Sequence, residues 1–458
     1  MVDSSIHGIL ERHRLFFSTG QTRSLSFRLD QLKKLKDSLK RNEFHILQAL
    51  KEDLNKCSFE AFTAEVGFVH EEINLALKYL KKWAKPQRVP TPLLLQPGSS
   101  RIYPEPKGVV LIIAPWNYPI QLTLAPLVAA IAAGNCVILK PSEFAPESTS
   151  LVRRILEEIF APNLCTVIEG GVEETTKLLR ERFDHIFFTG SIPVGKIVMR
   201  AAAEHLTPVT LELGGKSPCI IDKSVDLEVA ARRIVWGKYY NAGQSCVAPD
   251  YILVPPDLKS QLISMMKKAI FDFYGKDPAQ SPDYGRIINF KNFDRIVGLM
   301  QGCSIVSGGE YNRDSKYIAP TILDNVSLDS PIMRDEIFGP LLPMIEYESM
   351  DNAFEIVKKQ PHPLAFYLFT SEEKTKNRVL NEMTFGGGCI NNTLLHLLNP
   401  NMPFGGVGPS GVGAYHGKYG FDAFSHHKSL YSAPQWPDIA LKYPPYKDRL
   451  RLVKKVMR

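Results

Sequence analysis

A chain of 458 residues is too long for one simple core and points to two or three domains. Its 44% hydrophobic and 22% charged residues are those of an ordinary globular protein and exclude a disordered or fibrous chain. The formal charge of +7 is dilute, with most basic residues accompanied by acids, which argues against a nucleic-acid binder.

The seven cysteines form no Cys-x-x-Cys pair and are odd in number. This argues against a disulfide framework or a structural zinc site and points to a reducing, cytoplasmic compartment. Residues 1–8 lack the basic and then apolar pattern of a signal peptide. The apolar stretches 109–114 and 122–139 are interrupted by proline, glycine or asparagine, short of the ~20 uninterrupted apolar residues a membrane span needs.

From residue 25 to 83 the pattern is helical, with Leu25, Leu29, Leu32, Leu35 and Leu39 at three- and four-residue steps. Pro86, Pro90, Pro92 and Pro97 then end helix formation, and the chain through Tyr103 reads as an extended excursion. Residues 109–113 read as a buried strand. Helices are expected at 121–133, 148–160 and 172–180, alternating with strands at 136–139, 165–168 and 185–188. Such alternation predicts a doubly wound parallel sheet covered on both faces. It starts again after Cys219, with a helix at 227–240, a strand at 251–254 and a helix at 258–273. The glycine-rich segment 401–420 breaks the pattern and is expected to return the chain to the first excursion. The terminal residues 443–458 are basic and carry Leu450, Leu452, Val453 and Val456, a mixture suited to a solvated tail, an anionic membrane surface or a partner subunit.

Within this frame, Cys246 stands among the small neighbours Ala242, Gly243 and Ser245, which leave room for substrate and backbone amides near a thiol. It reads as a nucleophile or as a buried filler. Glu212 ends a strand-like run before Gly214 and Gly215, where a carboxylate serves as a general base or caps the next turn. Asn117, in Ala-Pro-Trp-Asn-Tyr-Pro at 114–119, offers either an amide to an oxyanion or a helix cap. Three further segments suit a nucleotide. Lys140 and Glu143 follow a strand, where nucleotides bind such sheets. Gly190, Ser191 and Gly195 lead from a strand into a helix N-terminus. Glu336 and Phe338 bring another carboxylate and a ring. By contrast, Gly-Val-Gly-Pro-Ser-Gly at 406–411 fits the dinucleotide pattern without a preceding strand and reads as a tight loop. His426 and His427 point oppositely in an extended chain, so no metal site is expected.

These segments, in this order and at these separations, resemble the aldehyde dehydrogenase superfamily over nearly the whole chain. Residues 413–418, 424–426 and 443–446 resemble its class 3 branch, which handles fatty, aromatic and other apolar aldehydes. The resemblance implies an α/β fold of two Rossmann-like domains and a small β oligomerisation extension. The expected division is 1–82 and 104–211 for NAD(P), 212–396 for catalysis, 83–103 and 397–430 for subunit pairing, and 431–458 as a tail. It implies that Cys246 attacks the aldehyde, that Asn117 and the Cys246 amide hold the oxyanion, and that Glu212 activates water. Trp116, Lys140, Glu143, Gly190, Ser191, Gly195, Leu213, Glu336 and Phe338 would hold the cofactor, expected to be NAD with some use of NADP. A homodimer is implied as well. Coenzyme A acylation and binding without turnover are the competing readings, and retention of both Glu212 and Cys246 disfavours them. Trp236, Tyr239, Tyr240 and Tyr118 are expected either to line an apolar tunnel or to belong to the core.

Overall fold

The β-branched run Val109–Ile113 is buried along its whole length, and it forms the middle of a six-stranded sheet. In spatial order the strands are Gly411–Val412, Val209–Glu212, His185–Thr189, Val109–Ile113, Cys136–Lys140 and Cys165–Val167. All are parallel except Gly411–Val412. The chain builds outward in one direction through 136–140 and 165–167, then returns to the other side of 109–113 with 185–189. Loops leaving Ile113 and Thr189 therefore diverge and open a crevice at the carboxyl edge, the place where such sheets bind ligands. The computed structural model from which these elements come describes residues 5–438 and 440–457.

A second sheet runs in the order Ser304–Ser307, Thr321–Asp324, Leu341–Glu346, Tyr251–Val254, Pro218–Ile221, Ala365–Phe369 and Gly387–Ile390. Only its first strand is antiparallel to its neighbour. Each sheet has its own apolar core. A third, antiparallel sheet joins Gln87–Val89, Ser99–Pro106 and Ser425–Ser432.

The return to the excursion is thus made by Ser425–Ser432, not by residues 401–420 as expected. The glycine-rich stretch instead lays Gly411–Val412 beside Leu211 and Glu212. It can do so because backbone approaches backbone there, and a Cβ on Gly411 would come within 2.6 Å of the Leu211 carbonyl. All five expected domain limits fall inside elements: 82/83 in Gly67–Trp83, 103/104 in Ser99–Pro106, 211/212 in Val209–Glu212, 396/397 in Leu395–Leu398 and 430/431 in Ser425–Ser432.

The N-terminal helices pack over the first sheet. Ile6–Ser18, which the sequence pattern did not announce, begins where Ser5 Oγ accepts from the Gly8 amide at 3.0 Å. Leu25–Leu54 ends at Asn55 in the left-handed region (φ 54°). The helical stretch after it is not uniform. Between Ser58–Ala61 and Gly67–Trp83, residues Phe62–Val66 form a wider π turn, closed by the Gly67 amide on the Phe62 carbonyl. Turns of this kind insert one extra residue and concentrate at functional sites. Toward the other end, Arg449–Val456 is helical. Of that basic segment, Arg458 and the side chains of Leu452 and Val456 lie outside the described residues.

Candidate active site

Cys246 follows a tight turn in which Asn241, Ala242 and Gly243 all have positive φ (52°, 51° and 75°). Glycine accepts this freely, and here it must, because a Cβ on Gly243 would collide with the Gly339 carbonyl. The left-handed conformation costs Ala242 roughly 1–2 kcal/mol, and Asn241, whose side chain tolerates it better, less. Hydrogen bonds hold them: the Gln244 side chain donates to the Arg286 carbonyl at 2.9 Å and accepts from the Ile288 amide at 3.0 Å. The turn delivers the half-buried Cys246 thiol to the wall of a cavity of about 260 Å³. Burial, then the neighbouring carboxyls of Glu336 and Glu212, pushes the thiol pKa well up, while the backbone N–H groups of Cys246 and Val247 favour the thiolate.

Glu212 lines the same cavity from the end of strand Val209–Glu212. It is buried, and neither carboxyl oxygen has a hydrogen-bond partner among the described residues. It therefore does not cap the next turn. Burial raises its pKa well above the ordinary carboxylate range. A carboxyl maintained in this state, facing a cavity shared with a thiol, has the properties of a general base held ready for a substrate or water.

Asn117 is buried but does not face the cavity in the same way. Its side-chain amide donates to the Gln244 carbonyl at 3.1 Å, two residues before the thiol, leaving one further N–H. Nor does it cap helix Gln121–Ala133. That task falls to Glu65, whose carboxylate accepts from the Ile120 and Gln121 amides at 2.8 and 3.3 Å. Glu65 also pairs with the fully buried Lys56, which donates to the Asn117 carbonyl at 2.8 Å and sits 4.1 Å from the Tyr118 ring centre. The nearby Glu60 accepts from the Asn241 amide at 3.0 Å. Burial raises the Glu60 pKa to about 7, against the pull of the Asn241 amide and of Lys56. Sequence reasoning alone does not find this network. The available signal was Glu65 falling on the apolar stripe of Val69, Ile73, Ala76 and Leu80, where a charge requires partners.

The remaining cavity wall is largely apolar and includes Phe68, Tyr118, Leu122, Trp236, Tyr240, Leu394 and Phe404. Of the four aromatic residues left open from sequence, Tyr118, Trp236 and Tyr240 line the cavity. Tyr239 instead belongs to the core, 1% exposed, with its hydroxyl on the Thr321 carbonyl at 3.2 Å.

At the carboxyl edge of the first sheet, Lys140 Nζ donates to the Pro141 carbonyl at 2.7 Å and lies 3.6 Å from Glu143 Oε2. The Gly190 amide donates to the Glu212 carbonyl at 3.0 Å, tying two strand ends together. Ser191 precedes helix Ile192–Ala203 in an extended conformation, and its hydroxyl makes no cap bond. A Cβ on Gly195 would come within 2.7 Å of Leu213 Cδ2, so glycine lets that helix settle onto Leu213, itself on the cavity wall. From the second sheet, Glu336 is drawn against Gly214, beside the Gly215 amide, which favours its charged form while burial opposes it. Phe338, at φ 51°, meets Trp116 edge-on with ring centres 5.3 Å apart. Of the twelve sequence-nominated residues, Cys246, Glu212 and Leu213 thus line the cavity; Asn117 is tied to the turn before Cys246, Gly190 to Glu212, Gly195 to Leu213, Trp116 to Phe338 and Lys140 to Glu143.

Residues 9–430 match the family model described as the aldehyde dehydrogenase family. The chain belongs to that family. It is 50% identical over 443 residues to 4,4'-diaponeurosporen-aldehyde dehydrogenase of Staphylococcus aureus, covering 96% of each chain. It is 48% identical over 444 residues to the dimeric NADP-preferring aldehyde dehydrogenase of Rattus norvegicus, covering 96% of this chain and 98% of that one. The solved substrate-bound state of Staphylococcus aureus AldH superimposes with a TM-score of 0.98 at 49% identity, over 99% of this chain and 100% of that one.

This aldehyde dehydrogenase oxidises aldehydes to carboxylic acids with reduction of NAD(P). The crevice fits that cofactor on its own terms. It offers the Lys140–Glu143 pair at a strand end, a Ser191 hydroxyl without a cap bond at a helix N-terminus, and a buried Thr189 hydroxyl without a partner among the described residues. The family match, not the fit of the crevice, sets aside the competing reading of binding without turnover.

Proposed function

We propose that Cys246 is the nucleophile and Glu212 the general base of this aldehyde dehydrogenase. The observation that carries the reading is their meeting in one apolar cavity, with the Glu212 oxygens unengaged. The thiolate adds to the aldehyde carbon, and the resulting oxyanion is stabilised by the Cys246 amide and the free N–H of Asn117. Bound NAD(P) supplies the hydride acceptor. The thioester left on Cys246 is hydrolysed by water that gives its proton to Glu212. Trp116 and Phe338 flank the nicotinamide end, Glu336 and Lys140 hold the riboses, and Leu213 packs beneath. Gly190, Ser191 and Gly195 border the pyrophosphate. The first sheet with its helices is the cofactor domain, and the second sheet carries catalysis.

The aromatic and aliphatic cavity wall supports a medium- or long-chain aliphatic, aromatic or other apolar aldehyde as substrate. The test is cofactor reduction measured at 340 nm with aldehydes from two to sixteen carbons. Efficiency should rise with apolar length, and a preference for the shortest aldehydes overturns this assignment.

NAD is the preferred cofactor in this reading, because a carboxylate at Glu143 repels a 2′-phosphate. NADP is accepted less well. Glu143→Gln is expected to raise kcat/KM for NADP relative to NAD by about tenfold, the effect of ~1.4 kcal/mol. An unchanged ratio removes Glu143 from cofactor choice.

The Glu336 contact gives another expectation. Gly214→Ala should displace the Glu336 carboxylate, since the new methyl would occupy its place. NAD affinity, followed by quenching of tryptophan fluorescence, should fall about tenfold or more.

The chain is proposed to form a homodimer. Ser425–Ser432 is the outer strand of its sheet and is exposed over most of its length, and Gly387–Ile390 is the outer strand of the second sheet. Open edges of this kind pair readily with another chain. All seven cysteines are free, and no helix among the described residues is long and apolar enough to cross a membrane. The free thiols support a cytoplasmic enzyme. The basic helix Arg449–Val456, with Leu450, Arg451, Lys454 and Lys455 exposed, supports peripheral membrane contact.

A further inference from the structure

We propose that Glu60 is a positioning residue for Cys246, acting through the backbone amide of Asn241. The inference rests on the assignment of Cys246 as nucleophile. It concerns what holds that nucleophile in place.

The turn before Cys246 is not a conformation its own residues favour. Asn241 and Ala242 are both left-handed, and neither is glycine. Such geometry persists only where the surroundings over-determine it. Most of the bonds that do so come from neutral groups: the Asn241 side chain donates to the carbonyls of Asn117 and Gln244 at 2.9 and 3.1 Å, and Gln244 spans Arg286 and Ile288. The exception is the Asn241 backbone amide, which donates to Glu60 Oε2 at 3.0 Å.

Glu60 is an expensive choice for a mere spacer. It is 8% exposed and has no ion-pair partner within 4.0 Å among the described residues. Among the described residues its one side-chain hydrogen bond is to that amide. A buried carboxyl is retained against its desolvation where its hydrogen bond matters. It does not line the aldehyde cavity, although its neighbours Phe59 and Thr63 do.

The local fold aims it. In a uniform α-helix, residues five apart point in well-separated directions. The wider turn at Phe62–Val66 lets Glu60 and Glu65 both face inward. Glu65 then fixes the start of the helix after Asn117, and Glu60 fixes the start of the Cys246 turn. Tyr240 strengthens the second tie, with its hydroxyl 3.0 Å from Thr63 Oγ1 and 3.4 Å from the Glu60 carbonyl. The two loops that bring Cys246 and Asn117 together are thus referenced to one short helical segment.

The test compares Glu60→Ala, which removes the acceptor, with Glu60→Gln, which keeps an oxygen for the Asn241 amide without the charge. Glu60→Ala should lower kcat about 100-fold, the scale of an ångström-level misplacement. The aldehyde KM and the NAD dissociation constant should change less than threefold, and alkylation of Cys246 by iodoacetamide should slow in parallel with kcat. Glu60→Gln should restore kcat to within about threefold of wild type. If Glu60→Ala does not fold, Glu60→Met fills the volume without an acceptor and takes its place. Wild-type kcat in the acceptor-less variant, a loss confined to KM or cofactor affinity, or a glutamine variant as impaired as alanine each overturns the proposal. Cys246→Ala serves as the separate control: if it keeps turnover, the nucleophile assignment fails. If it is inactive while Glu60→Ala is fully active, only the positioning role fails.

Discussion

Cys246→Ala is expected to reduce aldehyde oxidation by at least ~10⁴-fold while leaving cofactor binding intact. The expected separation of the two effects has its cause in the architecture. The groups proposed to hold NAD(P) leave other strands of the first sheet or come from Glu336 and Phe338, and none depends on the sulfur. The thiol itself adds one methyl-sized group to the cavity wall, so alanine removes reactivity with little repacking. Serine should not rescue it, because a hydroxyl is a far weaker nucleophile without a base dedicated to it. The electrostatics add a pH signature. Burial and the carboxyls of Glu336 and Glu212 hold the thiol pKa above its ordinary value, so the thiolate is scarce at neutral pH. Alkylation of Cys246 should therefore accelerate as pH rises. Rapid-mixing absorbance at 340 nm and intact-protein mass after iodoacetamide check these expectations. Undiminished turnover in the alanine variant removes the covalent mechanism altogether.

Much of this site is legible in the sequence because its chemistry is bound to strand ends. Val109–Ile113 and His185–Thr189 are short, apolar and bounded by turn residues, and a parallel sheet brings the loops after such runs to one edge. Trp116, Lys140 and Gly190 therefore converge by topology, before any side-chain detail is known. Cys246 is legible differently, from the small residues around it. Dependencies between distant segments stay hidden. Nothing local announces that Lys56 donates to the Asn117 carbonyl, 61 residues away, or that Glu60 meets Asn241, 181 residues away. The π turn leaves the periodicity nearly helical and so escapes a reading based on three- and four-residue steps. The strand Gly411–Val412 is hidden for another reason. Two residues in a glycine loop carry no alternation, and only the backbone approach to Leu211 makes them a strand. Tyr239 shows the limit for aromatic residues. Its neighbours Trp236 and Tyr240 reach the cavity, and one position on the helix sends it to the core.

Glu212→Gln should separate the two halves of the reaction. The amide is nearly isosteric and cannot accept the proton of the attacking water, so hydride transfer should proceed once and hydrolysis should stall. The expected record is a burst of one reduced cofactor per active site and then a steady rate ~10²–10⁴-fold below wild type. Intact mass should then show the acyl adduct on Cys246. The sign of the pH dependence is set by burial, which raises the Glu212 pKa. Below that pKa the group is a neutral acid and cannot act as a base. In the wild type the deacylation rate should rise as pH climbs through it, whereas the glutamine variant should lose this limb. Hydroxylamine, which attacks thioesters without such assistance, should relieve the stall in the variant and change the wild type little. A variant that loses the burst as well would place Glu212 in the first half of the reaction, where it would be acting on the Cys246 thiol. Such a result would be chemically coherent, because its carboxyl is already close enough to raise the thiol pKa. The burst amplitude distinguishes the two roles directly: near one per site assigns Glu212 to water, and near zero assigns it to the thiol.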